Sequence, residues 1–127
     1  SRALLLLRAM IAAACADGHL DAAERERIMQ QVSAADLAPD EKALVFDAMH
    51  NPPSLLELSQ RVDCPELAAE VYLASVMAVD HTRADAAMYL EALAFRLGIP
   101  AEMVNQLHNQ LPLADGSVIE SQGERVA

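Results

Sequence analysis

A chain of 127 residues, 54% apolar but only 3% aromatic, is long enough for one domain and must build its core from aliphatic side chains. With no Trp, four glycines and no alternating β-branched runs, it excludes a sheet-based fold, and all-α is the expected class. A formal charge of −10, from nine basic against nineteen acidic residues, excludes nucleic acid and anionic membrane surfaces, leaving cations, basic proteins or basic peptides as compatible partners.

The first helix is expected from about Leu4 to Ala16. Its Leu4-Leu5-Leu6-Leu7 run suggests a signal peptide or a span, but Arg8 interrupts it and the apolar segment is too short to cross a bilayer. A buried core helix is the expected outcome. The chain starts inside this helix without a cap, which suggests a domain cut from a longer protein. Asp17-Gly18 stops the helix, with Gly as a left-handed terminator.

Asp21-Ala22-Ala23-Glu24 has the spacing of a capping box and opens a second helix. There Ile28, Met29 and Val32 face inward, and Glu24 to Arg27 lie largely outside. Ala38-Pro39-Asp40-Glu41 opens a third helix with Leu44, Val45, Ala48 and Met49 on one face, ended by Asn51-Pro52-Pro53. Ser54-Leu55-Leu56-Glu57 and Asp63-Cys64-Pro65-Glu66 are two further capping-box patterns. They open a short helix to about Val62 and a longer one to about Val79, with Leu67, Val71, Ala74 and Ala78 at helical spacing. A helix from about Asp85 uses Leu90, Leu93, Ala94 and Leu97 and stops at Gly98-Ile99-Pro100. The last helix, Ala101 to Leu111, uses Val104, Leu107 and Leu111. Residues 1–111 thus form one helical domain of six to seven helices, and the polar stretch 112–127 is expected to be a frayed tail.

Chemistry concentrates at one turn. Asp17-Gly18-His19-Leu20-Asp21-Ala22-Ala23-Glu24 places three carboxylates where one helix ends and the next begins, and Asp80-His81-Thr82-Arg83-Ala84-Asp85 echoes it after a later apolar run. The echo suggests a two-fold internal pseudo-repeat. Asp17, Asp21 and Glu24 form an oxygen-rich set suited to a hard divalent cation, and His19 would add a nitrogen ligand. Asp80 and Asp85 are the corresponding pair in the second turn. Asp17 and Asp80 both sit at helix C-termini, where the macrodipole disfavours negative charge by about 0.3–1 kcal/mol. Equally, Asp21 and Glu24 satisfy orphan backbone donors as a capping box, worth about 1 kcal/mol. The twelfth position counted from Asp17 is Ile28, so the turn is no EF-hand.

Nothing else in the chain signals catalysis, and no enzyme activity is expected. Cys15 and Cys64 have no paired spacing, Ser54, Ser59 and Ser75 lack a nucleophile motif, and no glycine-rich phosphate loop occurs. His50 and His108 fall near helix ends, with surface or cap roles. The six methionines lie in or beside helical stripes and are expected to fill the core.

The apolar helix followed by Ala16-Asp17-Gly18-His19-Leu20-Asp21-Ala22-Ala23-Glu24-Arg25 resembles TerB-like domains, a group named after a tellurite-resistance protein. Leu7-Arg8-Ala9-Met10-Ile11-Ala12-Ala13-Ala14, Pro65-Glu66-Leu67-Ala68-Ala69-Glu70-Val71-Tyr72 and Tyr89-Leu90-Glu91-Ala92-Leu93-Ala94 resemble the YebE-type family of bacterial inner-membrane proteins. The resemblance implies an all-helical fold with acidic inter-helix turns. It also implies a longer parent attached to the inner membrane through an N-terminal region. This part would be soluble, with the cytoplasmic side favoured. One departure is His81, which follows Asp80 where many relatives place Gly. The expected function is a non-catalytic module that binds a protein partner, with divalent-cation binding or sensing through the acidic turn as the alternative.

Overall fold

The computed structural model describes residues 1–18, 20–80 and 82–110. These contain seven helices and no strand: α1 (Arg2–Ala14), α2 (Ala22–Ala34), α3 (Pro39–His50), α4 (Leu55–Gln60), α5 (Pro65–Ala78), α6 (Ala84–Leu97) and α7 (Ala101–Asn109). The all-α expectation holds, and each expected helix is present to within a few residues. Leu111 and the stretch 112–127 lie outside the described residues.

Helix α1 is the axis of the molecule. Leu5, Leu7 and every residue from Ala9 to Ala14 are buried, so it is apolar nearly all round, as a helix enclosed on all sides must be. It packs chiefly along α5 and also touches α2, α3, α4 and α6. Leu7, Met10, Ile11 and Ala14 join the main core with Ile28, Val45, Tyr72 and Leu93. Leu5, Ala9 and Ala12 turn the other way, onto Leu58 of α4 and Val71 of α5. Helices α1 and α5 run side by side in the same sense. Arg2 pairs with Glu70 toward one end, and Ala14 and Val79 line a common hollow at the other. Ser75 is fully buried in α5, and its hydroxyl donates to the Val71 carbonyl, so no polar group is orphaned there.

Local punctuation follows the sequence at most helix ends. Asp21 and Ser54 form complete capping boxes with Glu24 and Glu57, and Gly98, at φ 73°, gives α6 its left-handed stop. Four details differ from expectation. Ser1 caps α1, its Oγ accepting from the Leu4 N–H at 3.2 Å. Asp63 forms no capping box: Cys64 is the N-cap of α5, and its sulfur, a weak acceptor, makes no side-chain bond. Leu44 is half-exposed, since α3 turns Val45 and Ala48 inward and one side suffices against α1. Met77 and Met88 stand largely in solvent rather than in the core, unlike Met10. No helix among the described residues is long and apolar enough to cross a membrane.

Because α1 is enclosed on all sides, truncating its centre leaves a cavity that the neighbours cannot refill. Urea unfolding of Ile11→Ala is expected to show a loss of about 2–5 kcal/mol, while Leu44→Ser should stay within about 0.5 kcal/mol.

Candidate functional site

The two acidic turns, read from sequence as separate corners, meet in one place. After α1, the Gly18 N–H donates to the Cys15 carbonyl at 2.9 Å. Gly18 has φ 100°, a conformation that a side chain would strain. Asp21 then opens α2: its Oδ1 accepts from the Glu24 N–H at 2.7 Å, and Glu24 Oε1 accepts from the Asp21 N–H at 3.1 Å. After α5, Asp80 Oδ1 accepts from both the backbone N–H and the hydroxyl of Thr82, and its carbonyl accepts from the Arg83 N–H at 3.1 Å. Asp85, in the first turn of α6, accepts from the Ala86 N–H at 2.9 Å.

Asp17, Glu24, Asp80 and Asp85 line one small hollow together with Arg83, a cavity of about 10 Å³ and so roughly the size of one water molecule. Arg83 is the hub. Its Nη2 lies 3.0 Å from Asp85 Oδ2 and 3.6 Å from Asp17 Oδ2, tying the α5–α6 turn to the α1–α2 turn. A second guanidinium acts close by: Arg27 Nη1 donates to the Ala78 carbonyl at 3.2 Å, at the C-terminal end of α5. The C-terminal ends of α1 and α5 both lie here, so two negative dipole ends and four carboxylates are offset by these two arginines. This accounts for Asp17 at a helix C-terminus, where Arg83 compensates the unfavourable placement.

Of the residues singled out from sequence, Asp17, Glu24, Asp80 and Asp85 come together. Asp21 does not line the hollow and serves as the α2 cap. His19 and His81 lie outside the described residues. Among the described residues, no group of three His, Cys, Asp or Glu side chains is arranged to hold a metal ion. Glu24 was expected on the outer face of α2, but only 7% of its surface is exposed, because the cap folds its side chain back toward the α1 end. Arg83 and Arg27 were given no role at the site from sequence. Arg83 stands between Asp80 and Asp85, and that alternation of charge is the one local signal that could have drawn attention to it.

Burial at the corner disfavours ionisation of Glu24 and Cys15. Burial raises the Glu24 carboxyl, with Asp21 and Asp17 adding to the rise against the lowering pull of the backbone hydrogen bond and Arg27. Burial likewise raises the Cys15 thiol, reinforced by Glu24 and Asp17, so the thiol is a packing group rather than a nucleophile. Nearby Tyr89 is pushed up to about 12 by burial, and its hydroxyl finds no hydrogen-bond partner among the described residues. The other two histidines act locally. His50 Nδ1 lies 3.0 Å from the Phe46 carbonyl, and His108 Nε2 lies 2.8 Å from the Tyr72 hydroxyl.

The fold and the corner define a small all-helical domain whose acidic inter-helix turns are held by arginine. It belongs to the family described as a protein of unknown function (DUF533), a TerB-like family, which matches residues 1–111. Comparison with curated proteins and with solved structures gave no match.

The raised Glu24 carboxyl has a definite sign in stability. The folded protein takes up this proton more readily than the unfolded chain. The contribution is therefore fully present below the ordinary value of 4.5 and is lost as pH rises through the higher native value. Glu24→Gln keeps the cap acceptor and removes the charge. Melting curves from pH 4 upward should show this variant gaining stability relative to the parent as pH rises through that window, to a constant advantage at neutral pH; parallel curves would refute the shift.

Proposed function

We propose that this domain is a non-catalytic protein-interaction module of the YebE-type branch of its family, working on the cytoplasmic side of the bacterial inner membrane. The sequence blocks Leu7 to Ala14, Pro65 to Tyr72 and Tyr89 to Ala94 support the branch and, through it, the membrane setting. One observation carries the interaction reading: Phe95 is 85% exposed and Met88 70% exposed, both on α6. Two large apolar side chains standing in water on one helix, in a protein poor in aromatics, mark a surface that gains by being covered.

A second reading is divalent-cation binding or sensing. It is favoured by the gathering of Asp17, Asp80 and Asp85 around one hollow. Arg83 already neutralises Asp17 and Asp85 there, so an ion would have to displace the guanidinium. The corner without such an ion is a charge link between two turns.

Two experiments separate these readings. Affinity capture from a bacterial membrane extract should retain a partner on the parent protein and lose it on Phe95→Ser, a substitution that leaves the core intact. Equal retention on both, or none on either, sinks the interaction reading. For the cation reading, chelator-treated protein would be melted with Ca²⁺, Mg²⁺, Mn²⁺, Zn²⁺ and Ni²⁺. A rise of roughly 3 °C or more with one saturating ion, absent in Asp17→Asn, would establish a site; no rise with any ion removes it.

A further inference from the structure

Helices α6 and α7 enclose an apolar groove of about 420 Å³ whose floor includes Tyr72, Leu90 and Ile99. Glu91 and Phe95 line its α6 side, and Asn105 lies on the α7 side. On α6, Met88, Glu91 and Phe95 are spaced i, i+3 and i+7, so they form one stripe about 10 Å long at the helical rise of 1.5 Å per residue. Glu91 and Phe95 line the groove itself, and the exposed Met88 continues their stripe beyond its lining. Among the described lining residues Glu91 is the only carboxylate, and no Lys or Arg is present.

We infer that this groove receives an amphipathic helix whose apolar stripe is flanked by Lys and Arg, a deepening that rests on the interaction reading above. The length matches. The α6 wall of the groove runs from Ala87 to Phe95, about 12 Å at the helical rise, which two turns of a partner helix span. The charge matches as well, because a chain of net charge −10 with a carboxylate in the groove attracts a basic flank. A second copy of this chain carries the same net charge of −10 and meets repulsion, as does an anionic lipid surface.

The test uses the full 127-residue chain and three synthetic peptides of about 18 residues, long enough for a five-turn helix. One carries leucines on a helical stripe with lysines elsewhere. The second has the same composition scrambled to break the stripe, and the third replaces lysine with glutamate. Fluorescence anisotropy should show the striped lysine peptide binding at least about tenfold tighter than either control, with Phe95→Ser removing about tenfold. Glu91→Gln should weaken it by about threefold and flatten the salt dependence, and Leu44→Ser, an exposed apolar site on α3, should change nothing. Circular dichroism of each variant confirms that the fold is retained.

Equal binding of the scrambled lysine peptide, or indifference to Phe95→Ser, would mean undirected charge attraction and overturn the inference. Self-association abolished by Phe95→Ser would name a second copy as the occupant. That result overturns the basic helix while leaving the interaction reading standing. Absence of all peptide binding, with capture from membrane extract still dependent on Phe95, would likewise overturn only the basic helix. Absence of both overturns the two together.

Discussion

The parallel contact between α1 and α5 is the constraint on which the rest of the molecule depends. Ala9, Ala12 and Ala13 on α1, with Ala68, Ser75 and Ala78 on α5, are small and buried, which suits close approach of two backbones. Such a contact satisfies packing at little cost in side-chain entropy, since alanine has no rotamers to lose. It also commits the remaining helices. With α5 along one side of α1, the helices α2, α3, α4 and α6 cover the rest of its surface.

Running two helices in the same sense has an electrostatic consequence. Their C-terminal ends arrive together, and the partial negative charges of two sets of unpaired carbonyls accumulate at one end of the molecule. The turns that follow carry Asp17 and Asp80, adding to that charge rather than relieving it. Arg27 answers by donating to the Ala78 carbonyl, and Arg83 by spanning Asp17 and Asp85. Arg83 is half-exposed, so water screens its pairing with Asp17, and its worth lies more in holding two turns in register than in stability. Glu24 alone among the corner carboxylates is buried, and burial raises its carboxyl rather than lowering it.

The opposite character of the α6–α7 face comes from the same arrangement. Helix α6 spends Leu90, Leu93 and Ala94 on the core, a narrow inner stripe, and leaves Met88 and Phe95 uncovered among the described residues. Helix α7 buries chiefly Leu107, while Tyr72 and His108 lock it to α5 through a hydrogen bond and an edge-on ring contact. A helix held at one buried anchor leaves a groove beside its neighbour. The apolar surface exposed there is thus a product of how little of α6 the core needs.

By itself, the sequence determined the class, the helices and most of their ends. Periodicity, capping boxes and Gly98 are local, and local rules read correctly wherever a helix end is settled by its own residues, as at Asp21 and Ser54. The candidate site was half legible. Asp17, Glu24, Asp80 and Asp85 could be picked out as acidic turns, but periodicity cannot say that two turns sixty residues apart share one hollow. Nor can it say that a guanidinium already fills the role of their counter-ion. The exposed state of Leu44, Met88 and Phe95 was illegible for a related reason, because an apolar residue on a helix reads the same whether or not a neighbour reaches it. Only the tertiary structure decided these matters, since they turn on which helices lie alongside α1 and in which direction, and that is set by long-range packing rather than by any residue's nearest neighbours in the chain.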